Sequence, residues 1–248
     1  VEPSGAPGES QIMISGEPSV SVALVTGASR GIGAAVAQGL ARAGAHVILL
    51  ARQISGLEKV DDAIRAEGGR ATLMPFDLLK LDEINALGAT IYERFGRLDV
   101  FVGNAGLLGT LTPVHQADIK EWSRVMDVNV NANFRLIRTL DPMLRAAPAG
   151  RAVFISTSSS VTEGRAYWGA YGVSKSALET LACTYAAETA KTNLRINVVD
   201  PGRVRTDMRA AVAPGEDPMT LPSPEDVAPH IVNLCFPSCV RQGDIIRL

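Results

Sequence analysis

Val20-Ser21-Val22-Ala23-Leu24-Val25-Thr26-Gly27-Ala28-Ser29-Arg30-Gly31-Ile32-Gly33 is the stretch from which the fold can be read. Its first six residues form a short, mostly apolar run, as expected of a strand buried on both faces. Small residues follow, and residues 31–43 then read as a helix that Gly44 stops. A strand entering a helix through such a turn presents backbone amides at the helix N-terminus, where a phosphate can sit. The spacing is G-x-x-x-G-x-G rather than the commoner G-x-G-x-x-G. A tight strand-to-helix turn without a ligand is the alternative reading of these residues.

The alternation continues downstream. Residues 47–50, 71–75, 98–102, 152–156, 195–199 and 244–248 read as further strands. Between them lie helical patterns. Ser55-Gly56-Leu57-Glu58 has the form of a capping box, and Gly68-Gly69 closes the helix it would open. Leu81, Ile84, Leu87, Ile91 and Phe95 recur at helical spacing before Gly96. Long helices are expected over residues 119–145 and 170–191, and Ser223-Pro224 suits an N-cap followed by proline at the first helical position. Strands separated by helices imply right-handed crossovers. The fold class is therefore α/β, a Rossmann-like doubly wound, mostly parallel seven-stranded sheet with helices on both faces. Residues 1–19, rich in Gly, Pro, Ser and Glu, read as a flexible tail, and residues 20–248 as a single domain.

Composition narrows the function classes. The chain has 248 residues, 46% hydrophobic and 20% charged, with a formal net charge of −2. That balance gives no electrostatic case for nucleic acid or an anionic membrane. No apolar run approaches the roughly 18–20 residues of a spanning helix, and no signal-peptide pattern opens the chain. Cys183, Cys235 and Cys239 are too few and too odd for a disulfide framework, which fits a reducing cytoplasm. His46, His115 and His230 are scattered, so no metal site is expected.

The chemistry concentrates in Tyr171-Gly172-Val173-Ser174-Lys175. A Tyr and a Lys four apart share one helix face. An ammonium near a phenol, whose ordinary pKa is about 10, is expected to favour phenolate and yield a useful acid/base. Ser158 lies thirteen residues before Tyr171, among Ser156, Thr157, Ser159 and Ser160. Tyr167 is a second tyrosine, but no Lys follows it four residues on, so it reads as a pocket or packing aromatic.

The glycine spacing, Asn104-Ala105-Gly106 after the fourth strand and Tyr171-x-x-x-Lys175 together resemble the short-chain dehydrogenase/reductase family. The resemblance spans nearly all of residues 20–248 and is specific for the family, though it says little of the substrate. It implies an oxidoreductase exchanging a hydride between nicotinamide and a small-molecule carbonyl or alcohol. Tyr171 would be the acid/base, and Lys175 would lower its pKa and bind the nicotinamide ribose. Ser158 would hydrogen-bond the substrate oxygen, with Ser159 as the alternative. Asn129, in Asp127-Val128-Asn129-Val130, would hold a water-linked proton path to Lys175; a polar residue bonding backbone at a helix irregularity is the plainer reading.

The same resemblance assigns the cofactor residues. Gly27, Ser29, Arg30, Gly31, Ile32 and Gly33 would form the phosphate turn, with Asn104, Ala105 and Gly106 beside it. Asp77, next to Leu78, would meet the adenine, unless it is simply a turn Asp. Pro201, Gly202, Val204 and Thr206 would meet the nicotinamide. The second strand ends in Leu50-Ala51-Arg52, with no carboxylate to bond a ribose 2′-hydroxyl. Together with Arg30, Arg52 favours NADP(H) over NAD(H).

The segment after the sixth strand, with Ala211, Val212, Ala213, Pro214 and Met219, suggests a partly apolar substrate wall. The resemblance also implies a homodimer or homotetramer, for which Ala177, Leu181, Ala182 and Ala186 are candidate interface residues. Two other classes compete: a non-catalytic NADP(H)-binding or sensory protein, and an interaction protein reusing the fold. Intact Ser158, Tyr171 and Lys175 weigh against the first; Gly27, Gly31 and Gly33 weigh against the second.

Overall fold

The computed structural model describes residues 22–248. The expected tail over residues 1–19, and the first two residues of the first expected strand, lie outside them. Seven strands form one parallel sheet: β1 (Val22–Thr26), β2 (His46–Ala51), β3 (Arg70–Pro75), β4 (Val100–Gly103), β5 (Arg151–Ile155), β6 (Arg195–Asp200) and β7 (Ile245–Arg247). Their spatial order is β3-β2-β1-β4-β5-β6-β7. The order reverses between β1 and β4, and doubly wound sheets bind ligands beyond the strand ends at such a point.

Helices cover both faces. α1 (Gly31–Arg42), α2 (Ile54–Ala66) and α9 (Pro224–Leu234) bury Leu40, Leu57, Ile64 and Ile231 with Val25, Val47 and Leu49 on one face. α3 (Ile84–Phe95), α5 (Ala132–Ala146) and α7 (Gly169–Glu188) bury Ile91, Leu136, Leu140 and Leu178 with Leu24, Ile48, Phe101 and Phe154 on the other. Alternate residues of one strand therefore enter opposite cores, which is why the strands read as continuous apolar runs. α4 (Ile119–Met126), α6 (Ser159–Thr162) and α8 (Asp207–Val212) are shorter pieces near the strand ends.

Three local expectations change. The Ser55 capping box does not form: α2 starts at Ile54 behind Gln53, which makes no side-chain cap. Ser55 instead lies inside α2, where the helix packs on the glycine-rich turn so closely that a Cβ on Gly56 would lie 2.8 Å from the Ser29 Cβ. The long helix over residues 119–145 is broken into α4, a π-helical turn over Asp127–Asn131, and α5. Ala182 and Ala186, candidate interface residues above, are 1% exposed and pack inside, since that face of α7 covers the sheet. The Ser223 cap does form, as a capping box with Asp226 and with Pro224 at the first helical turn. Among the described residues no helix is long and apolar enough to cross a membrane, and no cluster of His, Cys, Asp or Glu could hold a metal ion.

Candidate active site

The glycine-rich turn is fixed from β4. The Asn104 side-chain amide donates to the Thr26 carbonyl at 2.9 Å and to the Gly27 carbonyl at 3.3 Å. The Thr26 hydroxyl accepts the backbone N–H of Asn104 and of Ala105, at 3.0 and 3.1 Å. This close approach explains two glycines. Gly27 has φ +66°, and a Cβ on Gly33 would fall 2.4 Å from the Asn104 amide nitrogen. Asn104 thus acts on the turn itself, and Ala105 and Gly106 carry the chain past it.

Beyond the turn, α1 begins behind Arg30 with no side-chain cap, a helix N-terminus suited to an anion. Ser29 and Ile32 flank it, both half-buried. Gly31 has φ +57°, and a Cβ there would sit 3.5 Å from the Thr206 methyl. Thr206 caps α8 by accepting the Arg209 N–H. The exposed Arg30 guanidinium pairs with Asp207 at 3.0 Å, so the segment after β6 reaches over the turn. Gly202 turns with φ +68° after Pro201, while Val204 is buried. Ala51 is buried at the end of β2 and Arg52 beside it is exposed. Asp77 accepts the Leu79 N–H at 3.1 Å, as a turn Asp does, and the adjoining Leu78 is buried.

Tyr171 and Lys175 lie buried on α7, with the ammonium nitrogen 5.7 Å from the phenol ring centroid. Lys175 donates to the Ile155 carbonyl at 2.7 Å. A Cβ on Gly106 would come within 3.5 Å of the same nitrogen, so the glycine leaves room above it. The direction of the phenol's pKa in this chain is opposite to the lowering expected above. Burial pushes the Tyr171 phenol up to about 12; the Thr157 hydrogen bond pulls down and the Asp200 charge pushes up further. Taking a phenolate out of water outweighs the Thr157 hydrogen bond that favours it. Burial likewise lowers the Lys175 ammonium to about 8, against the opposing charge of Glu179.

Asn129 is fully buried in the π-helical turn. Its side chain accepts from the Leu107 N–H at 2.7 Å and donates to the Leu107 carbonyl at 2.9 Å and the Ser174 hydroxyl at 2.8 Å. It locks the loop after β4 to α7, one residue before Lys175. Ser158 lies between β5 and α6, its carbonyl accepting the Val161 N–H at 2.8 Å. Ser159, the alternative, is the first residue of α6.

Thr157, Arg165, Trp168 and Glu179 escaped the sequence reading as site components. Thr157 reaches the phenol. Trp168 packs edge-on against Tyr171 at 5.9 Å, with the Arg165 guanidinium 4.9 Å over its own ring. Glu179 binds Ser156 at the end of β5. Tyr167, read above as a pocket or packing aromatic, is 59% exposed and has φ +73°. Its carbonyl accepts the Thr112 N–H at 3.0 Å, which holds that backbone in place.

Comparison with known proteins agrees with this geometry. The family model described as short chain dehydrogenase matches residues 21–217. The oxidoreductase YciK of Escherichia coli K12 is 44% identical over 212 residues, covering 84% of this chain and 83% of its own. Versicolorin reductase 1 of Dothistroma septosporum is 34% identical over 206 residues, 80% of this chain and 76% of that protein. Among solved structures, a short chain dehydrogenase of Shigella flexneri 2a complexed with NADP superposes with a TM-score of 0.86 at 40% identity. That match covers 92% of this chain and 96% of the other. A short chain dehydrogenase of Escherichia coli CFT073 complexed with NADPH gives 0.86 and 40%, over 92% and 95%.

The left-handed conformation of Tyr167 costs about 1–2 kcal/mol for a residue bearing a Cβ. Tyr167→Gly relieves that strain and loses part of the gain to unfolded-chain entropy. Urea denaturation of the variant should show a net stabilisation of up to about 1 kcal/mol; a lower midpoint would mean that the ring contributes packing.

Proposed function

We propose that this chain, which belongs to the short-chain dehydrogenase family, is an NADP(H)-dependent oxidoreductase acting on a carbonyl or alcohol, with Tyr171 as its acid/base. The observation that carries the reading is the burial of Tyr171 and Lys175 side by side at the end of β5. The residues present fit a dinucleotide: an uncapped helix N-terminus behind a turn of small residues, and space above Lys175 that a side chain at Gly106 would fill. Relatives complexed with NADP and NADPH support the same cofactor here. Nicotinamide, when bound, supplies or accepts the hydride.

This chain's residues place the reactants and manage the proton. Residues 29–33 would offer backbone amides to the pyrophosphate, with Asn104, Ala105 and Gly106 beside them, and Asp77 and Leu78 would meet the adenine. Pro201, Gly202, Val204 and Thr206 would meet the nicotinamide. Ser158 holds the substrate oxygen, with Ser159 as the alternative. In reduction, the Tyr171 hydroxyl donates its proton to that oxygen. A phenol at about 12 is fully protonated near neutrality, so the resting site is poised as an acid. Lys175 stabilises the phenolate left behind, and Asn129 fixes the loop through which a proton can return. The exposed Phe134 and Val173 on α5 and α7 support pairing of these helices between two copies.

Tyr171→Phe removes the proton donor while leaving the phosphate turn intact. NADPH oxidation by a carbonyl panel should fall by about 10²–10⁴-fold, with NADPH affinity little changed. Undiminished turnover in the variant would overturn the mechanism. NADPH binding without turnover in the wild type would favour the non-catalytic binding protein. The pH profile adds a sign: Lys175 is an ammonium below about 8 and loses its charge above it. Carbonyl reduction should accordingly weaken as pH rises through that value.

Cofactor choice is tested at β2. Arg30 and Arg52 can offer charge-assisted hydrogen bonds to a 2′-phosphate, Arg30 by exchanging Asp207 for it. Wild-type kcat/KM should favour NADPH over NADH by roughly ten- to a hundredfold, less at high salt. Ala51→Asp places a carboxylate beside the ribose and should swing the ratio toward NADH. Equal wild-type efficiency with both cofactors would sink the assignment.

A further inference from the structure

Three successive residues at the end of β5 are each gripped by a different turn of α7. Ile155 accepts from Lys175 at 2.7 Å, Ser156 donates to Glu179 at 2.5 Å, and Thr157 hydrogen-bonds Tyr171. Two of the three grips belong to the acid/base pair. The third, Glu179, has no part in the chemistry described above, yet it lies one helical turn beyond Lys175 on the same face. We propose that Glu179 is a positioning residue for the reaction, holding the β5 end in register with the face of α7 that carries Tyr171 and Lys175. The inference rests on the proposed oxidoreductase reading.

Ser156 is 3% exposed, so its hydroxyl needs a partner, and the Glu179 carboxylate accepts its hydrogen. A charged acceptor makes that bond short and strong. Ser156 heads the segment carrying Thr157 and Ser158. A shift of the Ser156 side chain is passed directly to the groups that meet the phenol and the substrate oxygen. The same carboxylate is the one charge that opposes the burial of the Lys175 ammonium. Along α7 the next titratable group is Cys183, whose thiol Glu179 and burial both push up. Glu163 and Arg247 line the groove that Glu179 faces, from the turn after α6 and from β7.

Geometry and charge can be separated by substitution. Glu179→Gln keeps an acceptor oxygen for Ser156 and removes the charge. Ser156→Ala removes the donor and keeps the charge. Glu179→Ala removes both. The measurement is kcat and KM for NADPH oxidation across pH, with Tyr171→Phe as a parallel control and thermal unfolding recorded for each variant.

Glu179→Ala should lower kcat by about ten- to a hundredfold, the scale of a small misplacement of reacting groups, with KM for NADPH little changed. Glu179→Gln should recover most of that kcat near neutrality. Its alkaline limb should nevertheless move down by about one pH unit, because the carboxylate no longer holds the proton on Lys175. Ser156→Ala should lower kcat and leave the limb in place. If Glu179→Ala fails to fold, the Gln and Ser156 variants still decide. Wild-type kcat and limb in the Glu179 variants, with Tyr171→Phe inactive, would overturn the inference alone. Losses of kcat that merely follow losses of stability, with the limb unmoved, would also overturn it. Full activity in Tyr171→Phe would instead overturn the oxidoreductase mechanism beneath it.

Discussion

A lysine ammonium removed from water needs an oxygen to face, and Lys175 takes the backbone carbonyl of Ile155, where β5 leaves the sheet. That single contact ties α7 to β5 at the level where side chains begin to emerge from the sheet. Ser156 and Thr157 extend the seam, so the loop bearing Ser158 starts from a fixed point. From the other side, Asn129 clamps Leu107 and Ser174, fixing the loop after β4 to the same helix. Tyr171 is held between these two attachments. Its orientation follows from buried hydrogen bonds on both sides and from the Thr157 bond to the phenol, which is how a proton donor is kept ready without reorganisation.

The cofactor side obeys a parallel constraint. Asn104-Ala105 beyond β4 donates four hydrogen bonds to Thr26-Gly27 at the end of β1, across the point where strand order reverses. Gly27 and Gly33 are glycines because Asn104 lies against them. The turn is thereby built before any ligand arrives, and preorganised amides bind phosphate without a further ordering cost. The Arg30–Asp207 pair adds a light closure from the segment after β6, and its exposure leaves it easily exchanged.

Much of this was legible because parallel strands buried on both faces leave unmistakable apolar runs, and every strand read from the sequence overlaps an observed one where it is described. Gly96 ends α3 in the left-handed conformation that its position implied. What escaped was tertiary. The helix irregularity in the plainer reading of Asn129 is the π-helical turn at Asp127–Asn131, but the Asn129 partners Leu107 and Ser174 lie far along the chain and leave no local signal. Ser55 has the form of a cap, yet it lies inside α2 where Gly56 packs on Ser29, a contact across distant segments. The spacing of Tyr171 and Lys175 showed their proximity and not their burial, and burial reversed the expected direction of the phenol's pKa.

Burial in this seam is what holds the resting Tyr171 phenol above its ordinary value, against the Thr157 hydrogen bond and with a further push from the Asp200 charge. The most direct test is a ¹³C NMR titration of tyrosine ring carbons in the cofactor-free protein. Among the four tyrosines, the Tyr171 signal is assigned by its loss in Tyr171→Phe. With the phenol at about 12, this signal should stay at its protonated position as pH rises through the ordinary phenol value of about 10. Conversion of the Tyr171 signal to phenolate at or below about pH 8, two units under the ordinary value, would contradict the account.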